Sequence, residues 1–143
     1  MPSSTSAWWI YALLAAFFAA LTTIFAKVGV QNVNSNLATA VRTIVVLLVA
    51  WGIVIARGEF TGWASLSTRT LTFLILSGLA TGLSWIFYFK ALQAGKASLV
   101  APIDKLSLVM ILLFSVQFLG EPLTWQVLVG GTLIVIGTFV LVL

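Results

Sequence analysis

Apolar residues in this 143-residue chain collect into five long runs separated by short polar stretches. A membrane-crossing helix needs about 20 mostly apolar residues. Windows near 8–28, 37–56, 71–91, 99–119 and 123–143 each meet that length. The separators carry polar or helix-breaking residues: Gln31-Asn32-Val33-Asn34-Ser35-Asn36, then Arg57-Gly58-Glu59 through Arg69, then Gln93-Ala94-Gly95-Lys96, then Gly120-Glu121-Pro122. Loops this short predict antiparallel neighbours and a single transmembrane domain over 1–143. The stretch 1–7 lacks Lys and Arg, and the apolar run after it exceeds a signal-peptide core of about 7–15 residues. The first run is therefore expected to be a retained helix.

Local signals place the helix ends. Gly120 suits a C-terminal cap, because glycine tolerates positive φ. Pro122 suits the first turn of the last helix, with Glu121 near its N-terminal dipole. Ser98 is a candidate cap for the fourth helix, which would hold Pro102 in its first turn.

Composition narrows the class. Hydrophobic residues make up 62% of the chain and charged residues 7%, against roughly 25% charged in soluble domains. An all-α integral membrane protein is expected, with the lipid bilayer as its solvent. Seven basic and three acidic residues give a net charge of +4, too few cations for a surface that tracks nucleic-acid phosphates. There is no His and no Cys, which removes disulfides, the common metal sites and Cys- or His-dependent catalysis. No nucleophile–base pair is visible, so neither an enzyme nor a cofactor or metal is expected.

The few polar residues inside or beside the apolar runs are the candidates for function. Five helices place the termini on opposite sides of the membrane. Arg57, Glu59, Arg69 and Glu121 fall to the amino-terminal side; Lys27, Arg42, Lys90, Lys96, Asp104 and Lys105 fall to the other. Loop cations alone balance, Arg57 and Arg69 against Lys27 and Lys96, so the positive-inside rule gives little orientation bias. Asp104 is the only carboxylate within an apolar window, and an intramembrane ionisable residue is a candidate for coupling or substrate contact. It is equally a candidate for an ion pair. Lys105 makes a poor partner, since adjacent helical residues do not face each other. The planar fork of Arg42 suits an anionic group or a lipid phosphate.

Trp8, Trp9, Trp51, Trp63 and Trp125 lie towards one side, as in an aromatic belt. Trp85 and Tyr88 lie nearer the other, where Trp85 is a candidate cavity wall. Helix packing is expected at Gly78 and Gly82, a GxxxG pair, and at Gly130 and Gly137, seven residues apart on one face. Ala15, Ala19, Thr23 and Lys27 stack at four-residue spacing as a further packing stripe or cavity wall. The last helix carries no ionisable residue and is expected at the periphery or at a subunit contact.

Several of these stretches together resemble an EamA domain of the drug/metabolite transporter superfamily. The likeness is carried by Phe87-Tyr88-Phe89-Lys90-Ala91-Leu92, by Lys96-Ala97-Ser98, by Leu119-Gly120-Glu121-Pro122-Leu123-Thr124 and by Gly130-Gly131 through Gly137. Tyr-x-x-Ala-Leu, Ala-Ser and Leu-Gly-Glu are its most specific parts. Leu108 stands where the family usually has a proline.

The resemblance implies half of a transporter, one five-helix repeat where full-length relatives carry two of opposite orientation. A homodimer, antiparallel if the balanced charges permit it, would complete a midplane site. The expected protein is a multi-pass transporter, of exporter type, in a bacterial or archaeal inner membrane. Its substrate would be a small polar anionic or zwitterionic metabolite, contacted by Asp104, Lys105, Arg42, Lys90, Lys27, Trp85 and Tyr88. The competing expectation is a non-transporting membrane subunit whose charges make assembly contacts.

Overall fold

The computed structural model describes residues 8–143, the side chains at 63 and 64 excepted. The reading of residues 1–7 and the belt position of Trp63 lie outside what is described. Six α-helices follow in order: α1 (Trp8–Gly29), α2 (Ser35–Ala56), α3 (Thr68–Ala94), α4 (Ala97–Asp104), α5 (Leu106–Leu119) and α6 (Trp125–Val142). A short 3-10 helix, Glu59–Ser65, lies between α2 and α3. No strand occurs among the described residues. Five segments are long and apolar enough to cross a membrane, with α4 and α5 together forming the fourth. Large apolar side chains stay uncovered, Phe118 at 77% and Trp125 at 75% exposure. Water does not tolerate such continuous apolar surface, whereas lipid does.

Capping sets the helix starts, and two lie earlier than the apolar runs suggest. The Asn34 side chain accepts the Asn36 and Leu37 backbone N–H groups at 2.9 and 3.4 Å. It thereby opens α2 at Ser35, within a polar run that reads as loop. Ser67 accepts the Thr70 N–H at 3.1 Å and opens α3 at Thr68. The last helix starts later than expected. Thr124 is its cap, accepting Val127 N–H at 3.3 Å. Pro122 and Glu121 therefore lie in the connection before it, not in its first turn. Gly120 caps α5 as expected, at φ 68°.

The fourth span departs from a single straight helix. Lys96, not Ser98, holds the cap position of α4, and its side chain makes no capping bond. The chain then breaks at Lys105, whose N–H reaches back to Ala101 at 3.2 Å and Pro102 at 3.1 Å. Proline in a helix interior removes one backbone donor and crowds the preceding turn. That loss falls on the Ser98 carbonyl, one turn before Pro102, whereas the interruption at Lys105 lies on its other side.

Two compact units result, one of residues 26–93 and the other of residues up to 25 together with 94–143. In the second, α6 packs on both α4 and α5, so within its unit it is a central helix and not a peripheral one. Buried Gly131 makes the close approach: a Cβ there would meet Leu112 Cδ1 at 3.5 Å. Thr138, also buried, donates its hydroxyl to the Pro102 carbonyl at 3.3 Å. At Gly130 and Gly137 an added Cβ would meet no atom within 4 Å, and the same holds for Gly78 and Gly82. Within the unit that holds α4, α5 and α6, Gly131 is the glycine of α6 with a side chain at contact distance.

The unit of residues 26–93 is held by polar side chains around a small apolar centre. Ala26, Val30, Phe89 and Leu92 are buried. Gln93 Nε2 donates to the carbonyls of Val30 and Val33, at 2.9 and 2.5 Å. Lys27 Nζ donates to the Leu92 carbonyl at 2.5 Å. These bonds satisfy carbonyls at the C-terminal ends of α1 and α3, which a helix cannot satisfy alone.

Candidate functional site

Trp85, Tyr88, Phe89 and Leu92 recur at three- and four-residue spacing, so they share one face of α3. Phe89 and Leu92 are buried, which anchors that face. Trp85 stands edge-on to Tyr88 and Phe89, with ring centroids 5.5 and 5.8 Å apart. Offset and edge-to-face arrangements like these are the favoured ones for aromatic pairs. Over the Trp85 ring sits Arg42 of α2, its guanidinium carbon 3.4 Å from the ring centroid. Arg42 lies seven residues inside α2, roughly 10 Å along the helix at 1.5 Å per residue. Thr39, one turn before it, is buried and turns its hydroxyl back to the Ser35 carbonyl at 2.8 Å.

The geometry defines what this stack can do. A guanidinium lying flat on an indole keeps its charge while shedding water from one face, and the ring quadrupole offsets part of that loss. A guanidinium also carries planar N–H donors that match a carboxylate or phosphate. Neither of the ion pairs among the described residues involves Arg42. Arg42, Trp85 and Tyr88 thus form one cation–aromatic cluster within the unit of residues 26–93.

Within this unit, Lys27 and Lys90 stand apart from the stack. Lys27 is committed to the Leu92 carbonyl, a structural bond that closes α3. Lys90 is exposed; five residues on from Trp85, it projects from a different face of α3. Asp104 and Lys105 belong to the other unit and pair with each other at 3.4 Å, their side chains 37% and 56% exposed. They meet although Lys105 keeps right-handed helical dihedrals, φ −69° and ψ −10°. Sequence reasoning passed over Gln93, although a glutamine beside the end of an apolar run was a signal for carbonyl capping. No group of three His, Cys, Asp or Glu that could hold a metal gathers among the described residues.

Five apolar spans and a cation held within one of them define a multi-pass integral membrane protein with a polar contact point inside the bilayer. A family model of the EamA-like transporter family matches residues 6–143, and the chain belongs to that family. It is thus a membrane protein of a transporter family. A Sinorhizobium protein named "uncharacterized transporter in cobO 3′ region" is 50% identical over 137 residues, covering 96% of this chain and 97% of its own. An uncharacterized protein of Methanocaldococcus jannaschii is 28% identical over 138 residues, covering 92% of this chain and 93% of its own. No solved structure matches the chain.

Proposed function

We propose that this chain is a secondary transporter, of exporter type, for a small polar metabolite carrying an anionic group, either as an anion or within a zwitterion. The observation that carries this reading is Arg42 stacked 3.4 Å over Trp85 inside a membrane span. A desolvated guanidinium in hydrocarbon is costly unless it is used or paired. A stacked one with planar donors is suited to receive a carboxylate or phosphate and to release it again.

One five-helix repeat offers one wall of a pathway, and two copies would enclose it. The balanced loop cations suit an antiparallel pair. Asp104 is placed in this reading as the proton-coupling carboxylate, since its partly exposed pair with Lys105 can open to solvent. The test is flux by the purified chain in proteoliposomes. Anionic and zwitterionic solutes should move down an imposed pH gradient while lipophilic cations do not, and Asp104→Asn should abolish the proton-driven part. Cysteines at Gln31 and Gly62 should crosslink between subunits. Absence of flux for every solute would support a non-transporting subunit, and crosslinks only between like positions would remove the antiparallel pair.

A further inference from the structure

A second feature stands at the far end of α2, away from the Arg42 stack. The apolar run of α2 ends at Ala56, and Arg57, Gly58 and Glu59 follow at once. Gly58 takes φ 66°, a conformation that an L side chain resists, and it turns the chain back. The 3-10 helix Glu59–Ser65 then packs on the last turns of α2. Between them lies a cavity of about 400 Å³ whose lining includes Ala50, Trp51, Val54, Glu59, Phe60 and Leu66. Trp51 and Phe60 stand against each other with centroids 5.8 Å apart. Arg57 pairs with Glu59 at 3.6 Å, and both side chains are more than half exposed.

Each property restricts the occupant. A polar pair that directly follows 22 helical residues of a membrane span sits at headgroup depth, where tryptophan also prefers to lie. The apolar walls exclude a fully hydrated solute and accept methylenes. The size falls in the range of small-molecule sites. Glu59 lines the cavity, and Arg57, two residues before it, is its ion-pair partner. An exposed pair of this kind holds itself together only weakly, so it can open to take up two opposite charges. A purely anionic lipid would satisfy Arg57 and oppose Glu59.

We infer that this cavity is a binding site for a zwitterionic phospholipid of the phosphatidylethanolamine type. Arg57 donates to the phosphate, whose geometry matches the guanidinium fork. The primary ammonium donates to the Glu59 carboxylate. The glycerol and first methylenes lie along Trp51, Val54 and Phe60. The site concerns the surrounding lipid and is independent of whatever solute Arg42 receives.

The test uses the purified full-length chain in detergent, titrated with short-chain phosphatidylethanolamine, phosphatidylcholine or phosphatidylglycerol and read by native mass spectrometry and thermal shift. The unaltered protein should retain phosphatidylethanolamine about tenfold more tightly than phosphatidylglycerol, one charge-assisted contact being worth roughly that factor. Phosphatidylcholine, which lacks N–H donors, should fall between them. Glu59→Gln should erase this preference, whereas Trp51→Ala should weaken all three lipids alike. Equal retention of the ethanolamine and glycerol lipids by the unaltered protein would overturn the assignment without recourse to any variant. So would a preference that survives Glu59→Gln, or phosphoethanolamine without acyl chains shifting stability as much as the lipid does.

Discussion

The two units hold their helices together by opposite means. In α4, α5 and α6 the contact is mostly apolar, with buried Gly131 facing Leu112 and one hydroxyl, Thr138, bonding across to Pro102. In residues 26–93 the ties are long polar side chains: Lys27 and Gln93 reach backbone carbonyls, and Arg42 lies on Trp85. Lipid tails are as apolar as leucine, so burying leucine against leucine gains little in a membrane. Close approach and interhelical hydrogen bonds must supply the association instead. Each unit takes one of these routes. The polar route also places within a span a cation that joins neither ion pair among the described residues, and the substrate reading rests on that cation, Arg42.

The contrast can be broken at Arg42 first. Arg42→Gln should lower solute flux by between about 10- and 100-fold, the cost of one charge-assisted contact, with a far smaller change in melting temperature. Arg42→Lys should recover only part of the flux, because lysine keeps the charge and loses the planar stack. If flux and melting temperature fall together in both variants, Arg42 is a structural tie like Lys27.

The packing side is sharpened by Gly131→Leu, which should destabilise the protein by about 1–3 kcal/mol through overpacking against Leu112. Gly131→Ala should be tolerated, since its Cβ would stand in ordinary contact. Denaturation in detergent reads both. The same leucine at Gly130 should do little within one chain, and a large loss there would reveal a contact between chains. On the polar side, Gln93→Leu removes two bonds to carbonyls and should lower stability by about 1 kcal/mol. Thr138→Val should have the smallest effect, about 0.6 kcal/mol, because Lys105 N–H still satisfies the Pro102 carbonyl.

The spans were legible in the sequence because length and apolarity alone decide them, and hydrocarbon admits few other backbone solutions. The errors came where a single side chain outweighs the run. Asn34 and Ser67 start helices inside stretches that look like loop, and Thr124 delays α6 past Pro122. Arg42, Trp85 and Tyr88 were readable as candidates by their burden of polarity or aromatic area. Their meeting was not, because it depends on the rotation of α2 against α3, which no local spacing encodes. The Asp104–Lys105 pair was set aside on the spacing rule for adjacent helical residues, and the lysine stem nonetheless reaches the neighbouring carboxylate at 3.4 Å.

Pro102 also bears on where this span can be hydrated. Its ring offers no N–H to the Ser98 carbonyl one turn earlier, and Ser98 is exposed. A carbonyl oxygen has two lone pairs, and the Pro102 oxygen has two protein donors, the Lys105 N–H at 3.1 Å and the Thr138 hydroxyl at 3.3 Å. Hydration of the fourth span is therefore expected at Ser98 before it is expected at Pro102.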